Sequence, residues 1–239
     1  MIEKSQVIKT VNKEVLYHLG IILDGNRRWA KSKNLPAIIG HNEGKKRVKE
    51  VCRWCKAKGI KIITLYAFST ENWERSLKEV KFLIKLIEMS IREDMKEIHR
   101  EGYKIKIIGE KDKLPKSFQK VIKEAEELTK DNKGGILNLA ISYGGRLDIV
   151  QAVKKIIKKG ISPDDVTEKM IDKNLWTADV PHPNLIIRTS GEQRLSGFLT
   201  WQSAYSELYF SKKLWPDFTE KDLDKALKEY AQRQRRFGK

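Results

Sequence analysis

The chain has 239 residues, of which 40% are hydrophobic and 34% charged, a composition that excludes a disordered chain and an integral membrane protein. Its net charge of +17 favours an anionic partner, whether nucleic acid, an acidic membrane surface or a phosphorylated substrate. A lysine-rich proteome gives the same charge without functional meaning, so charge alone does not choose among these partners.

Short apolar runs rich in β-branched residues alternate with helical patterns along the chain. The runs predict strands at 19–23, 60–68, 104–108, 136–142, 185–188 and, more weakly, 208–210. Helical patterns predict helices at about 42–58, 78–100, 116–130, 146–159, 164–174 and 220–235. This alternation predicts an α/β fold with a mostly parallel central sheet of about six strands surrounded by helices. No linker, repeat or low-complexity tract divides the sequence, so we expect a single domain over residues 1–239.

The predicted helix at 78–100 carries two apolar stripes where a surface helix needs only one. The first stripe consists of Val80, Ile84, Ile87, Ile91 and Met95. The second, on roughly the opposite side, consists of Phe82, Leu86 and Met89. The helix is therefore either sandwiched between the sheet and a neighbour or dimer partner, or packed on the sheet while it lines an apolar cavity.

Three local motifs are better explained by structure than by chemistry. The C-x-x-C at Cys52 and Cys55 lies within a predicted helix and lacks a second pair for zinc, which favours core packing. G-H-N-E-G-K-K at 40–46 resembles a phosphate loop but is one residue short and lacks Ser or Thr, and we expect its glycines to open a helix. D-D-V-T-E at 164–168 resembles an acidic metal motif, but S-P-D-D at 162–165 is typical of a helix N-terminus with an N-cap serine, a proline at the first position and first-turn acids.

The N-terminal segment is charged throughout, and no apolar run approaches the roughly 18 residues of a membrane span. We therefore expect neither a signal peptide nor a membrane helix. The two cysteines give no disulfide framework, which favours a cytoplasmic location.

Polar clusters follow four of the predicted strands. They read D-G-N-R-R-W at 24–29, S-T-E-N-W-E-R at 69–75, Y-G-G-R at 143–146 and R-T-S-G-E-Q-R-L-S at 188–196. In a parallel sheet, ligands bind outside the carboxyl ends of the strands, so these clusters are expected to meet. Arginine forks, serine hydroxyls and glycine N–H groups suit a diphosphate, and one or two carboxylates with phosphate oxygens suit Mg²⁺. Any one cluster could be a salt-bridged loop, but four together favour a diphosphate site.

The segments that carry these clusters resemble the cis-prenyltransferases, the undecaprenyl diphosphate synthase family. The matching segments are H-L-G-I-I-L-D-G-N-R-R-W-A-K at 18–31, G-H-x-x-G at 40–44, L-Y-A-F-S-T-E-N-W-x-R at 65–75, R-T-S-G-E-Q-R-L-S-G-F-L-T-W-Q at 188–202, Y-S-E-L-Y-F at 205–210 and L-W-P-D-F at 214–218. The resemblance implies a homodimeric enzyme whose sheet and helices enclose an apolar tunnel. It also implies the substrates, isopentenyl diphosphate and an allylic diphosphate starter, either farnesyl or geranylgeranyl diphosphate.

The resemblance assigns roles by position. Asp24 would hold Mg²⁺ at the allylic diphosphate, and Glu207 would be the second magnesium carboxylate, from this chain or a partner subunit. Asn72 would act in catalysis; because an amide is a poor base, we expect it to orient a diphosphate oxygen or water. The remaining substrate-binding positions are Gly25, Asn26, Arg27, Arg28, Trp29 and His41 for the allylic diphosphate, Ser69, Thr70, Glu71, Trp73 and Arg75 at the junction of the substrates, and Arg188, Arg194 and Ser196 for isopentenyl diphosphate. R-F-G at 236–238 resembles a C-terminal motif that reaches a diphosphate.

Departures from the bacterial pattern leave parts of this assignment open. Ala37 stands where bacterial members usually carry arginine, so one diphosphate contact is either absent or replaced by Arg27. Ser76 and Gly197 replace a common proline and asparagine, which gives the chain a more archaeal character. The small Ala67 and the lack of an insertion at 78–108 predict a medium product of roughly ten to twelve isoprene units, set by the apolar volume available.

Two alternatives within the same family stay open at this point. A non-catalytic subunit of a heteromeric synthase would lose the aspartate and arginine clusters, which this chain keeps. A short-chain cis-prenyl diphosphate synthase would keep the same clusters.

Nucleic-acid binding is not expected, since the aromatic residues are not interleaved with basic residues as base stacking requires. Transient contact with a membrane during product release is compatible with the family.

Overall fold

The computed structural model describes residues 16–233. The six strands of this range are β1 (His18–Ile22), β2 (Ile62–Ser69), β3 (Tyr103–Ile108), β4 (Gly135–Tyr143), β5 (Leu185–Arg188) and β6 (Glu207–Phe210). Its α-helices are α1 (Asn26–Ser32), α2 (Ala37–Ala57), α3 (Leu77–Arg100), α4 (Lys116–Thr129), α5 (Gly145–Lys158), α6 (Glu168–Asn174) and α7 (Glu220–Gln232). Short 3₁₀ turns cover Thr70–Glu74, Lys111–Lys113, Pro163–Asp165 and Trp215–Asp217.

The six strands form one sheet in the order β3-β4-β2-β1-β5-β6, and every pair is parallel. The predicted α/β fold with a parallel sheet of about six strands is confirmed. In a parallel sheet all carboxyl ends lie at one edge, and the register places the ends of β1, β2 and β5 side by side there. The polar clusters therefore start from neighbouring strands.

Helices cover both faces of the sheet, as a parallel sheet requires. Alternate strand residues pack into two sets of clusters, because successive side chains of a strand point to opposite faces. The larger cluster lies under α2, α3, α4 and α7, and its fully buried members include Phe118, Trp215 and Phe218. The other face packs against α5, α6 and the segment around Phe198. In the described range, none of the helices is both long and apolar enough to cross a membrane.

The segment between β1 and β2 differs from the predicted one. Helix α1 was not expected, and α2 begins at Ala37, well before the predicted start at 42. The glycines of G-H-x-x-G do not open a helix; they lie inside α2 and face α1. A Cβ on Gly40 would lie 2.0 Å from the Asn26 carbonyl oxygen, and one on Gly44 would lie 2.3 Å from Asn26 Oδ1. These glycines let the two helices approach closely, which fixes Asn26 beside the sheet edge.

Two further local predictions are settled by the contacts. Cys52 and Cys55 are free, and both pack into the core through α2, as the structural interpretation expected. Ser162 precedes a short 3₁₀ turn, but its side chain makes no capping hydrogen bond. Helix α6 starts only at Glu168, where the Thr167 hydroxyl accepts from the backbone N–H of Met170. Ser162 is thus the residue before a 3₁₀ turn that starts with Pro163 and carries Asp164 and Asp165, as predicted, but the turn does not continue into α6.

Candidate active site

An ion-pair cluster joins the ends of β1 and β5. Arg188 Nη2 donates to Asp24 Oδ2 over 2.9 Å, and Arg28 Nη2 lies 3.2 Å from the same oxygen. Burial opposes the charged form of Asp24, but hydrogen bonds from Arg188 and Ser190 and the charges of both arginines outweigh it. The pKa of Asp24 is therefore held below its ordinary value. At neutral pH this carboxylate is ionised and can face a cation.

The loop after β5 holds this cluster in place. The Thr189 hydroxyl donates to the Asp24 carbonyl over 2.6 Å and accepts from the Asp24 N–H over 3.0 Å. Arg188 Nη1 donates to Ser196 Oγ over 2.8 Å, and Arg28 Nη2 donates to Ser190 Oγ over 2.6 Å. Ser190 and Ser196 have φ of 80° and 49°, a left-handed backbone that non-glycine residues adopt at some cost. The loop is thus bent so that its hydroxyls face the arginines.

A second charged group lies where α3 begins. Glu79 Oε1 accepts from Arg75 Nη1 over 3.0 Å and lies 3.7 Å from Arg27 Nη1. His41 stands nearby; burial, reinforced by the charges of Arg75 and Arg27, lowers its pKa to about 4 despite the opposing charge of Glu79. Its Nε2 is buried and finds no hydrogen-bond partner among the described residues. The neutral imidazole therefore keeps one nitrogen without a partner among the described residues.

Asn72 is oriented by the turn that follows β2. Its Oδ1 accepts from the backbone N–H of Ser69 over 3.1 Å, which closes a reciprocal capping box with the Ser69 side chain. Because a backbone N–H can only donate, the amide oxygen must face Ser69. The amide NH₂ is left to donate toward the cavity that Asn72 lines.

A cavity of about 1110 Å³ opens at this edge of the sheet. Its polar end is lined by the clusters described above. Its other walls are apolar and come from β2, β4, α2 and α3, with Val48, Leu65, Ala67, Leu83, Leu86, Ile87, Ile91 and Leu139. One site thus combines arginines for an anion with an apolar space for a hydrocarbon chain.

Helix α3 packs on the sheet and also lines this cavity, as one of the two interpretations predicted. The division into two stripes is wrong, however. Ile87 and Ile91 of the first stripe face the cavity together with Leu86 of the second, and Met89 is exposed. Residues three and four apart share a helix face. The face of α3 that lines the cavity therefore includes Leu83, Leu86, Ile87, Ser90 and Ile91.

A family model described as "Putative undecaprenyl diphosphate synthase" matches residues 22–238. The chain belongs to this family of cis-prenyltransferases. It is 47% identical over 240 residues to an "Isoprenyl transferase" of Clostridium perfringens, covering 99% of this chain and 95% of that protein. It is 50% identical over 230 residues to a "Tritrans,polycis-undecaprenyl-diphosphate synthase (geranylgeranyl-diphosphate specific)" of Methanocaldococcus jannaschii, covering 93% and 82%.

Solved structures of cis-prenyltransferases share the fold. Lavandulyl diphosphate synthase from Lavandula x intermedia, in complex with dimethylallyl diphosphate, has a TM-score of 0.91 and 40% identity, covering 94% of this chain and 99% of that one. A probable undecaprenyl diphosphate synthase from Campylobacter jejuni has a TM-score of 0.79 and 33% identity over the same shares. The fold and the enzyme class are therefore shown, and prenyl diphosphates are the substrate class of this cis-prenyltransferase.

Most of the site residues expected from the sequence are brought together. Those that line the cavity are Asp24, Gly25, Asn26, Arg27, Arg28, His41, Ser69, Glu71, Asn72, Arg75, Arg188 and Ser196. Ala37, where an arginine was expected, also lines it.

Four expected binding residues do not line the cavity. Trp29 Nε1 donates to Asp217 Oδ1 over 2.7 Å, and Trp73 Nε1 donates to Ser142 Oγ over 3.0 Å. The Thr70 side chain lies against Gly144, where a Cβ would come within 2.5 Å of its hydroxyl. Arg194 is exposed and pairs with Glu192 over 2.6 Å. The described contacts give Trp29, Trp73 and Thr70 positioning roles, whereas Arg194 can reach a ligand only by moving from its partner.

Glu207 lies at the other edge of the sheet. Glu207 pairs with Leu185 of β5, and Leu185 pairs with Leu19 of β1, so these three residues lie at the same level of the sheet. Asp24 is five residues further along the chain than Leu19. At about 3.3 Å per residue the two carboxylates are roughly 15 Å apart along the strands, far more than one Mg²⁺ can bridge. Glu207 is instead paired with Arg233 Nη1 over 2.7 Å. Only Glu207 from a partner subunit could share a metal with Asp24.

Asp24 is a carboxylate of the cavity that could hold a metal ion. The described residues contain no group of three or more His, Cys, Asp or Glu side chains that could hold one. Both arginines contact Oδ2 of Asp24, so they do not compete for Oδ1. One ionised carboxylate fits a Mg²⁺ that takes its other ligands from substrate phosphates and water.

Several contributing residues were not expected from the sequence. Glu79 organises Arg27 and Arg75, and Thr189 ties the two strand ends together. Glu79 lies three residues after the N-cap Ser76, in the first turn of α3, where acids are common because they stabilise the helix N-terminus. Its position in the sequence therefore gave no sign of a role in the site. Thr189 belongs to the cluster at 188–196, but a threonine between Arg188 and Ser190 gives no sequence signal for a contact with the backbone of Asp24. The R-F-G motif at 236–238 lies outside the described residues.

Proposed function

We propose that this cis-prenyltransferase adds isopentenyl diphosphate units to an allylic diphosphate in a Mg²⁺-dependent reaction and makes a medium-chain polyprenyl diphosphate. The observation that carries the proposal is the joining of an arginine-lined mouth to an apolar cavity of about 1110 Å³. The mouth suits a diphosphate and the cavity a growing hydrocarbon. The undivided sheet supports one domain for the whole activity.

The allylic diphosphate is assigned to the mouth beside Asp24. Arg28 and Arg27 offer guanidinium groups, and Asn26 lies at the N-terminus of α1, whose backbone N–H groups favour an anion. His41 adds an uncharged ring with an unpaired Nε2. Mg²⁺ held by Asp24 would stabilise negative charge on the leaving diphosphate when bound.

Isopentenyl diphosphate is assigned to the loop after β5. Ser196 and Arg188 face the cavity, and Arg188 Nε is buried without a hydrogen-bond partner among the described residues. An unpaired buried donor is stabilised by an incoming acceptor, so a phosphate oxygen is a suitable partner. Arg194 is proposed to join this group once its exposed ion pair with Glu192 is released.

The reaction breaks the bond between the allylic carbon and its diphosphate oxygen, and leaves an allylic cation. The double bond of isopentenyl diphosphate attacks this cation, a new carbon–carbon bond forms, and a proton is lost to restore a double bond. Arginines stabilise the departing charge, and the apolar walls exclude water that would quench the cation. Asn72, through its NH₂ group, is proposed to hold a diphosphate oxygen that takes the proton.

The product length is set by how much chain the apolar walls can bury. We propose roughly ten to twelve isoprene units, because Ala67 leaves the cavity open beside β2. Both farnesyl and geranylgeranyl diphosphate are proposed starters. The Methanocaldococcus jannaschii relative is named for the geranylgeranyl substrate and the lavender neighbour was solved with dimethylallyl diphosphate, so starter choice differs among similar chains.

A homodimer is proposed as the working form. Helix α5 exposes Val150, Val153 and Ile157, which are spaced to form one apolar stripe. A second copy would bury this stripe, and a partner subunit could also supply Glu207 to the metal. We further propose that the enzyme acts in the cytoplasm.

Incubation of the purified chain with radiolabelled isopentenyl diphosphate and either starter tests the proposal. We expect Mg²⁺-dependent chain growth, and product chromatography gives the length. Absence of growth with both starters would overturn the proposal and would revive the non-catalytic subunit.

A further inference from the structure

The corner between α1 and α2 exposes a cluster of large apolar side chains. Residues 31–39, K-S-K-N-L-P-A-I-I, are all exposed. Leu35, Ile38 and Ile39 keep 40%, 41% and 37% of their surface in contact with solvent. Single exposed apolar residues are ordinary, but three within five positions form a patch that marks an interaction site. This segment is called the α1–α2 corner below.

The packing of α2 forces these side chains outward. Gly40 and Gly44 form the face of α2 that lies against α1, since a side chain at either position would collide with Asn26. Ile38 and Ile39 precede Gly40 in the first turn and point away from that face. The exposure therefore follows from the close approach of the two helices.

The same corner is strongly basic. Between residues 25 and 42 the sequence has four cations, Arg27, Arg28, Lys31 and Lys33, and no acid. Arg27 and Arg28 pair with acids of the site, whereas Lys31 and Lys33 form no ion pair with other described residues. Lys33 lies over the Trp29 ring, 4.7 Å from its centre. The two lysines keep their charge available beside the apolar patch.

The corner also borders the opening of the cavity. Lys31, Leu35 and Ala37 line the cavity, whereas Ile38 and Ile39 do not. The corner thus adjoins the mouth of the cavity.

We propose that the α1–α2 corner docks on an anionic lipid surface, with Leu35, Ile38 and Ile39 inserted at the headgroup level and Lys31 and Lys33 facing the lipid charges. Binding to such surfaces grows with the buried apolar area and with electrostatic attraction, and the corner supplies both. A protein partner would need shape and hydrogen-bond complementarity, whereas a short exposed run of leucine, isoleucine and lysine needs only an apolar layer under anionic groups. If the proposed function holds, a polyprenyl product passes from the cavity into lipid without crossing water.

Sedimentation of the full chain with lipid vesicles tests the proposal without any substrate. Vesicles of phosphatidylcholine alone are compared with vesicles that also contain phosphatidylglycerol, at low and high salt. We expect binding to the mixed vesicles that weakens with salt. The Ile38→Asn/Ile39→Asn variant should bind at least roughly tenfold more weakly. Lys31→Gln/Lys33→Gln should lose roughly fivefold per lysine, on the anionic vesicles only.

The matched control is Leu128→Asn on α4, since Leu128 is 39% exposed and lies away from the cavity mouth. It should bind like the unmodified chain. Equal binding by all variants, or no binding to anionic vesicles, would overturn the proposal. Light scattering gives a further check, because a loss of oligomeric state in Ile38→Asn/Ile39→Asn would assign the corner to a second copy instead.

Chain elongation measured in solution separates this proposal from the proposed function. Ile38 and Ile39 do not line the cavity, so their variant should keep its rate in detergent while it loses vesicle binding. Vesicle binding without any chain growth would support the docking surface and would overturn the proposed enzymatic function. Thermal unfolding at an unchanged temperature would show that each variant is folded.

Discussion

Arg188 and Asp24 lie at the ends of two neighbouring strands and are joined by a hydrogen bond of 2.9 Å. The Arg188 side chain keeps only 6% of its surface exposed, against 29% for Asp24. A guanidinium this deeply buried requires a carboxylate partner, so Asp24 stabilises the fold at the same point where it faces the cavity. The residue proposed to hold the metal is therefore also part of the strand-end packing.

Asp24→Asn tests both roles at once. The amide keeps the shape but loses the charge that Arg188 and a cation need. We expect kcat to fall by at least about a hundredfold, and the free energy of unfolding to fall by roughly 1–3 kcal/mol because Arg188 loses its counter-charge. Elongation assays and urea denaturation measure the two effects. Asp164→Asn, at an exposed position of the 3₁₀ turn at Pro163–Asp165, should change neither, and an active Asp24→Asn enzyme would remove Asp24 from the metal site.

His18 provides a pH dependence of stability that is separate from catalysis. It is buried, its Nδ1 donates to the Pro181 carbonyl over 2.6 Å, and its Nε2 accepts from the Thr64 hydroxyl over 2.7 Å. Burial is the main cause that lowers its pKa from 6.5 to about 4, with a smaller contribution from His182 and an opposing one from the Pro181 hydrogen bond. The ring is therefore neutral in the folded protein.

The sign of the effect follows from proton binding. Between pH 4 and 6.5 the unfolded chain binds a proton at His18 that the folded chain does not, so acidification destabilises the fold. We expect the free energy of unfolding to be flat with respect to His18 above pH 6.5 and to fall by roughly 1–3 kcal/mol on approaching pH 4. Urea titrations of the unmodified chain and of His18→Gln measure it. Parallel curves for the two proteins would show that His18 contributes nothing.

Asn72→Asp distinguishes a hydrogen-bond donor from a base. A carboxylate at 72 can still accept from the Ser69 N–H, so the turn should fold as before. It cannot donate, and its charge repels a diphosphate. If Asn72 acts as a donor, kcat/KM should fall by roughly a hundredfold or more. A variant that matched or exceeded the unmodified enzyme would instead assign proton removal to this position.

The fold and most of the polar site were predictable from the sequence because both follow short-range rules. Strand runs and helical periodicity gave the six strands and their order of appearance, and the strand-end rule gathered Asp24, Asn72 and Arg188 at one edge. What could not be predicted depends on contacts between distant segments. Helix α1 can pack against α2 because Gly40 and Gly44 make room for it. The sequence of residues 26–32 contains no local pattern that predicts this packing.

The orientation of side chains was likewise out of reach. Phe68 packs into the same cluster as Leu65, and not with Tyr66, because β2 contains an irregularity there: Tyr66 pairs with Ala140 and Phe68 with Ile141, which leaves Ala67 as the extra residue. Strand alternation read from the sequence does not reveal such a shift. Glu207 shows the same limit, since only the register between β5 and β6 places it at the far edge from Asp24.

Arg27 and Ala37 both line the cavity, so a double-mutant cycle can show whether one replaces the other. Arg27→Ala should raise KM for the allylic diphosphate by roughly tenfold, the loss of one charge-assisted hydrogen bond. Adding Ala37→Arg to that variant should recover most of the loss if the two positions serve the same phosphate. An independent, additive effect of Ala37→Arg would show that Arg27 does not fill its place.

Ala67 sets the width of the cavity beside β2, and its enlargement should shorten the product. A graded series, Ala67→Val, Ala67→Leu and Ala67→Phe, adds volume to one wall while the polar mouth stays intact. Each isoprene unit gains burial only while space remains, so the mean product length should fall step by step as the side chain grows. Product chromatography after extended incubation measures the distribution, with Leu128→Phe on the exposed side of α4 as control. An unchanged distribution in Ala67→Phe would place the growing chain along another wall of the cavity, with α3 residues such as Leu86 the next to vary.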